Sequence, residues 1–372
     1  VRPLIVARAV NQLGAFSLPY LTVLLTSSMH ASLAAAGAIM TAFGVATIPS
    51  RLIGGRLVGI LGHRRTIIVG LLACACAQAG LASAHRLGTA AVFAVLLGGA
   101  FEIYEPASQG AIADAVDADH RVRAYGHLNA ALAAAGIGAG ILGAVIGRWS
   151  LRGLFVADAL TCVLCAAIVA LTVAGSQPVA VDEADAVPIP VRPWRDRALL
   201  LMLVLGVAFA VIYLSVAIGL PLTLSRLGHP AADAGWLFAV SGLTIVVGQP
   251  LLRRGTGHWP LPIGTLVVAL GLIGYALAHS LAAFIVATVV WSLGDVLIIG
   301  HATAIVASLA PPDGRSRYLA AYGISWGIAG LLTPTAVTQV LAHAGIATLW
   351  TVLGALAALL ALAQTLVIRR LT

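Results

Sequence analysis

The chain has 372 residues, of which 60% are hydrophobic and 9% charged, and its mean hydropathy is +1.03. Soluble domains are about 45–50% apolar and about 25% charged, so 21 Arg and 13 acidic side chains cannot solvate the surface of a water-soluble protein of this length. That excludes a cytosolic enzyme, a secreted disulfide scaffold and a disordered chain, and leaves a protein whose main solvent is lipid. The formal net charge of +8 would suit nucleic acid only if the arginines formed a stripe on a soluble face. They lie instead between long apolar runs, which is a membrane-topology pattern, and no nucleic-acid partner is expected.

A spanning helix takes about 20 mostly apolar residues. Twelve runs qualify: 3–26, 33–54, 64–83, 88–112, 123–147, 150–174, 198–224, 231–252, 261–279, 281–309, 318–342 and 345–368. The chain begins at Val1 rather than Met, and we expect it to be trimmed at its start. Residues 3–26 are too long for the apolar core of a signal peptide and no cleavage site follows them, so they read as span 1. Span 1 carries Arg8, Asn11, Gln12 and Tyr20. Span 4 carries Glu102, Glu105 and Pro106. Span 5 has Asn129 and one small-residue face of Gly136, Gly140, Gly143 and Gly147. Span 6 holds Asp158, Cys162 and Cys165. Tyr213 lies in span 7, Trp291, Asp295 and His301 in span 10, and Trp326 in span 11.

Placing the N-terminus inside puts 16 arginines on the cytoplasmic side and four, Arg86, Arg148, Arg152 and Arg226, outside. Both termini are therefore expected in the cytoplasm. The stretch 175–197, with Asp182, Glu183, Asp185, Pro188, Pro190 and Pro193, is too polar to span and reads as a cytoplasmic linker. It divides the chain into six-span bundles at 1–174 and 198–372. The halves echo each other: Asp119, Arg121 and Arg123 recur at an offset of 194 as Asp313, Arg315 and Arg317, and Glu102 recurs at 193 as Asp295. Six spans repeated in the same direction predict an all-α membrane protein, two pseudo-symmetric six-helix bundles with a solute site between them near mid-membrane.

The Gly/Arg-rich loop between spans 2 and 3 runs from Gly55 to Arg65. With the six-plus-six arrangement and the central linker, it resembles the major facilitator superfamily. Gly55, Leu57, Gly62 and Arg64 match the family's loop pattern, while Gly59, Ile60 and His63 stand where that pattern has Asp, Arg and Arg. The resemblance implies that Gly55, Arg56, Leu57, Gly62, Arg64 and Arg65 serve the inner gate, with the arginines docking on helix ends and on Asp114. Within the superfamily the chain looks most like the bacterial drug:proton antiporter group. Gly136, Gly140 and Gly143 fit that group's span-5 signature, in which Ile141 replaces a Pro.

A charge in the bilayer core is costly unless paired or hydrated, so Arg8, Glu102, Glu105, Asp158 and Asp295 are the candidates for chemistry. Glu102 and Glu105 are three apart and share a face. Two carboxylates that close are not both ionised without a cation. We expect an Arg8–Glu105 pair, with Glu102 the more freely titrating acid and Pro106 bending the helix. The bland alternative is that both acids are fixed packing partners. Asp295 lies one turn after Trp291, and a carboxylate beside an indole suits an organic cation. The alternative there is a buried Asp bonded to a neighbouring helix. Asn11, Gln12, Tyr20, Asn129, Tyr213, Trp291 and Trp326 are the expected solute-lining residues.

The family's arrangement puts span 6 outside the cavity, so Asp158 is expected to be structural. His301 is expected to be a satisfied structural His. The glycine face of span 5 serves either static packing or sliding. The cysteines read as small apolar fillers. No metal site, cofactor motif or catalytic constellation is visible, so neither an enzyme nor a bound cofactor is expected. The expected function is a monomeric secondary transporter of the inner membrane, exporting small amphipathic or cationic compounds in exchange for protons. The alternative is a symporter or facilitator importing a nutrient or metabolite.

Overall fold

The computed structural model describes residues 2–114, 118–173, 193–252, 259–310 and 315–371. Among them every regular element is helical. In chain order these are α1 (Arg2–Gly14), α2 (Ser17–Val23), α3 (Leu33–Ser83), α4 (Leu87–Phe101), α5 (Tyr104–Asp114), α6 (Ala118–Trp149), α7 (Leu151–Thr172), α8 (Arg197–Arg226), α9 (Ala234–Leu252), α10 (Pro260–Leu277), α11 (Leu281–Leu309), α12 (Arg315–His343) and α13 (Gly345–Leu371). A π-helical turn, Leu24–Ser28, follows α2.

Local chemistry explains the starts. Ser32, Ser150 and Ser280 each accept the amide three residues on, capping α3, α7 and α11. Asp196 takes the amides of Ala198 and Leu199 at the start of α8, and its other oxygen accepts the Tyr318 hydroxyl at 2.8 Å. Pro260 opens α10, where its missing N–H costs nothing.

Ten helices are long and apolar enough to cross a membrane among the described residues, where the sequence suggests twelve runs. Two features account for the difference. Span 1 is split between α1 and α2. Spans 2 and 3 fall on α3, whose 51 residues are two helices joined at a kink and together exceed the about 20 residues that cross the bilayer hydrocarbon once. Gly62 interrupts it with φ 75° and ψ 169°, a backbone setting that only glycine adopts without strain. Leu160, Val204, Val247 and Leu359 are 64, 64, 69 and 65% exposed on these helices. Apolar side chains displayed on that scale face lipid.

The chain packs as two compact units, residues 1–182 with 220–239, and residues 183–219 with 240–372. In the first, α3 packs on α4, α5 and α7, and α1 on α6 and α7. In the second, α10 packs on α11 and α13, and α12 on the same two helices. The pairing of α3 with α4 and α7 recurs as that of α10 with α11 and α13, which is the internal repeat seen in three dimensions. Glycine allows the closest crossings: a Cβ on Gly264 would lie 2.7 Å from the Gly294 carbonyl, one residue before Asp295.

Replacing Gly62 by Ala should lower stability by about 1–3 kcal/mol through backbone strain. Gly55 has open space around it, so Gly55→Ala should leave stability unchanged or slightly higher. Thermal unfolding of both variants in one detergent provides the comparison.

Candidate functional site

In the first unit the helix of span 4 breaks. α4 ends at Phe101, Glu102 has φ −99° and ψ 0°, and α5 starts at Tyr104. Pro106 has no N–H to offer the Glu102 carbonyl four residues earlier, so the helical ladder cannot run through this point. The Ser50 hydroxyl oxygen accepts the Glu102 amide at 2.9 Å. Gly70 lets the break pack tightly, since a Cβ there would lie 3.0 Å from the Tyr104 nitrogen.

The break puts Glu105 in the first turn of α5, where a helix end favours negative charge. Arg8 of α1 donates to Glu105 Oε2 at 2.5 Å. Its guanidinium carbon stands 4.8 Å above the Tyr104 ring. Glu102 is half-buried, and its electrostatic neighbours are Arg51, Glu105 and Arg8. Two acids and two arginines therefore share one neighbourhood, with one firm ion pair in it.

A second polar cluster surrounds Asp158 of α7, which is buried. Ser17 of α2 donates to its Oδ2, and Gln78 of α3 donates to the same oxygen at 2.5 Å. Gln78 also reaches the Ser17 hydroxyl at 3.2 Å. Asn11 donates to Cys162 Sγ at 3.4 Å, and the Cys162 thiol points to Asp158 Oδ1 at 3.9 Å. Asp158 thus ties three helices together. A Cβ on Gly14 would run into this carboxyl and Thr161, which is why the crossing needs a residue with no side chain.

Also in the first unit, Arg148 at the end of α6 grips Asp233 Oδ1 through Nη2 at 2.8 Å and Nε at 3.1 Å. Tyr20 is wholly buried, and its hydroxyl donates to the Ala232 carbonyl at 3.3 Å. The glycine face of α6 is shared out. Gly140 meets the backbone of Gly235 and Ala239, Gly147 meets Ala232, and Gly143 meets Phe16 and Tyr20, while Gly136 has nothing within 4 Å.

Of the residues read as an inner gate, Arg64 donates to the Ala170 carbonyl near the end of α7. A cation there offsets the unpaired carbonyls of a helix C-terminus. Gly55, Arg56 and Arg65 are exposed and Leu57 is half-buried. The side chains of Asp114 and Asn129 lie outside the described residues, as does most of the 175–197 stretch.

In the second unit Asp295 is fully buried, and neither carboxylate oxygen has a hydrogen-bond partner among the described residues. Around Trp291, Tyr213 and Trp326 is an aromatic cluster that also contains Phe209. Ring centroids are 5.6 Å apart for Tyr213–Trp291 and 5.2 Å for Tyr213–Trp326. Phe209 lies 6.3 Å from Tyr213 and 6.5 Å from Trp326. His301 is held by the Leu297 carbonyl at 2.8 Å.

The structure thus gathers Arg8, Glu102 and Glu105 in one place and Tyr213, Trp291, Asp295 and Trp326 in another. Gln12 is half-buried; Asn11 and Tyr20 spend their polar groups on neighbouring helices. Sequence reasoning missed Ser50, Arg51, Tyr104, Gln78, Ser17, Phe209 and the Arg148–Asp233 pair. Gln78, a lone amide in an apolar run, was the signal most open to notice.

Apolar helices in two repeated sets, with acids and an arginine buried within them, make a polytopic membrane transporter. The chain belongs to the Major Facilitator Superfamily, whose profile matches residues 4–334. This family membership makes it a transporter and not an enzyme. It is 25% identical over 348 residues to the uncharacterized MFS-type transporter YhjO of Bacillus subtilis (strain 168), covering 89% of this chain and 84% of that one. Solved structures of like fold include the peptide transporter POT in complex with sulfate, with TM-score 0.79 and 14% identity over 99% of this chain and 94% of that one. Another is a bacterial homolog to the human lysosomal transporter Spinster in an inward-facing and occupied conformation, with TM-score 0.76 and 14% identity over 99% and 96%. At these identities the likeness shows the fold alone.

Replacing Arg8 by Met removes the cation of the Arg8–Glu105 ion pair, and should destabilise the protein by about 3–5 kcal/mol. The double variant Arg8→Met with Glu105→Met should recover most of that loss. A double-mutant cycle on apparent unfolding free energy in detergent measures both.

Proposed function

We propose that this transporter exports small amphipathic or cationic compounds in exchange for protons, as a member of the antiporter group it resembles. The observation that carries the reading is the four-charge neighbourhood at the break in span 4. Arg8 is committed to Glu105 at 2.5 Å, which leaves Glu102 as the acid with the looser partner. A carboxyl that swaps a proton for a weak ionic contact is what coupling requires. In this reading the two six-helix halves, 1–174 and 198–372, rock about a central site, and the 175–197 linker joins them on the cytoplasmic side. The chain crosses an inner membrane twelve times with both ends inside, α3 counting as two crossings, and works as a monomer.

Import of a nutrient or metabolite by proton symport uses the same acids with the opposite sign of proton movement. The loop that carries Gly59, Ile60 and His63 in place of the family's charged residues favours this second reading.

Proteoliposomes with an imposed pH gradient separate the two, with ethidium as the test cation. The wild-type protein should move ethidium against a proton flux, and substrate addition should shift the internal pH in the antiport direction. Glu102→Gln should lower gradient-driven transport at least tenfold while the protein stays folded. Unchanged, pH-dependent transport by Glu102→Gln removes Glu102 from the mechanism, and co-directional proton movement replaces export by symport.

A further inference from the structure

Span 1 is broken between Gly14 and Ser17, and residues on both sides of the break meet the buried Asp158 of α7. Ser17 and Gln78 both donate to Asp158 Oδ2. Oδ1 faces the Cys162 thiol at 3.9 Å and, across the spot that a Cβ on Gly14 would fill, the Thr161 hydroxyl. Hydrogen bonds spread the charge of a carboxylate without cancelling it, and no cation stands against Asp158 among the described residues. In a bundle surrounded by lipid that charge calls for a counterpart.

A second feature points to the same place. Gln78 is 2% exposed, and its Oε1 is buried with no hydrogen-bond partner. An amide oxygen left so in a protein interior costs free energy. A half-turn of the terminal amide brings Oε1 to the side that Nε2 occupies, which lies 2.5 Å from Asp158 Oδ2 and 3.2 Å from Ser17 Oγ. The Thr161 hydroxyl gives its hydrogen to the Asp158 backbone carbonyl at 2.8 Å, so its lone pairs remain to serve as donors to an ion. The oxygens on offer are thus both of the Asp158 carboxylate, Ser17 Oγ, Gln78 Oε1 and Thr161 Oγ1.

Their chemistry selects the ion. One carboxylate among neutral hydroxyl and amide oxygens balances a single positive charge, whereas calcium is held by several carboxylates. No cluster of His, Cys and acids suited to a transition metal is present among the described residues. Packing this close, at a crossing where Gly14 has no space for a Cβ, excludes an organic cation and favours the smaller alkali ions.

We propose that Asp158, Ser17, Gln78 and Thr161 form a sodium site at the break in span 1. Binding takes two small rotations: the Ser17 hydroxyl and the Gln78 amide turn their hydrogens away from Asp158 and their oxygens toward the ion. The ion ties α1 and α2 to α3 and α7, and so fixes Arg8, which lies within two turns of Gly14. These residues stand apart from the expected solute-lining set, and the site serves export and import alike.

The test is thermal unfolding of the full chain in detergent, titrated with sodium chloride while choline chloride holds the ionic strength constant. An ion that binds only the folded state raises the midpoint once its concentration passes the dissociation constant. Sodium should raise the midpoint by several degrees and potassium by much less, and dialysis against radioactive sodium should count close to one ion per chain. Asp158→Asn should abolish both responses. Ser17→Ala and Gln78→Met each remove one oxygen and should weaken sodium binding several-fold, and they carry the test if Asp158→Asn does not fold. Equal midpoints in sodium and choline overturn the proposal, as does an equal shift in potassium, which marks a general salt effect. A sodium response that survives all of these substitutions puts the ion elsewhere and overturns it too.

Discussion

Arg8 and Glu105 meet within a helical bundle whose outer faces are in lipid. Neither group could be placed there alone, because an unpaired charge in hydrocarbon costs several kcal/mol. Much of the first unit is arranged so that they can meet. α5 has to start afresh at Tyr104 for Glu105 to lie in a first turn, and Pro106 supplies the reason for the restart. Ser50 accepts the Glu102 amide, and Gly70 clears space for the displaced backbone. Tyr104, exposed to Arg8 by the same restart, adds a ring face to the guanidinium.

The second unit repeats the packing without repeating this solution. Position 299, which corresponds to Pro106 under the offset of 193, is Ile, and α11 runs unbroken from Leu281 to Leu309. Its acid stays inside a continuous helix with no donor to it among the described residues. One half therefore holds its charge by pairing, and the other holds a carboxyl that nothing in the described protein pairs. Such an asymmetry within a duplicated fold separates an acid held by an ion pair from one that no group among the described residues pairs. Asp158 shows a third outcome, a buried carboxyl satisfied by Ser17 and Gln78 that binds three helices together.

The apolar runs, the repeat and the buried acids were legible because each is a local property of the chain. Hydropathy shows where lipid is, and an acid inside such a run stands out whatever it touches. The Glu102–Asp295 correspondence was readable for the same reason. What was hidden depends on distance along the chain. Ser50 lies 52 residues from the amide it accepts, and Gln78 lies 80 from Asp158. Arg51 read as a topology charge at the edge of a loop, although α3 continues past it as helix and brings it near Glu102. The break between spans 2 and 3 is confined to Gly62, inside the stretch read as a loop, because Leu and Arg are good helix formers and carry the helix up to it.

The account comes down to the state of one carboxyl, and infrared spectroscopy reads that state directly. In the absence of substrate, at a pH low enough to protonate it, the wild-type protein should show the carbonyl band of a protonated carboxylic acid, and transported substrate should change it. The band should be missing from Asp295→Asn and present in Glu105→Gln. A band unchanged in Asp295→Asn and lost in Glu105→Gln would place the proton on the acid paired with Arg8 and contradict the account.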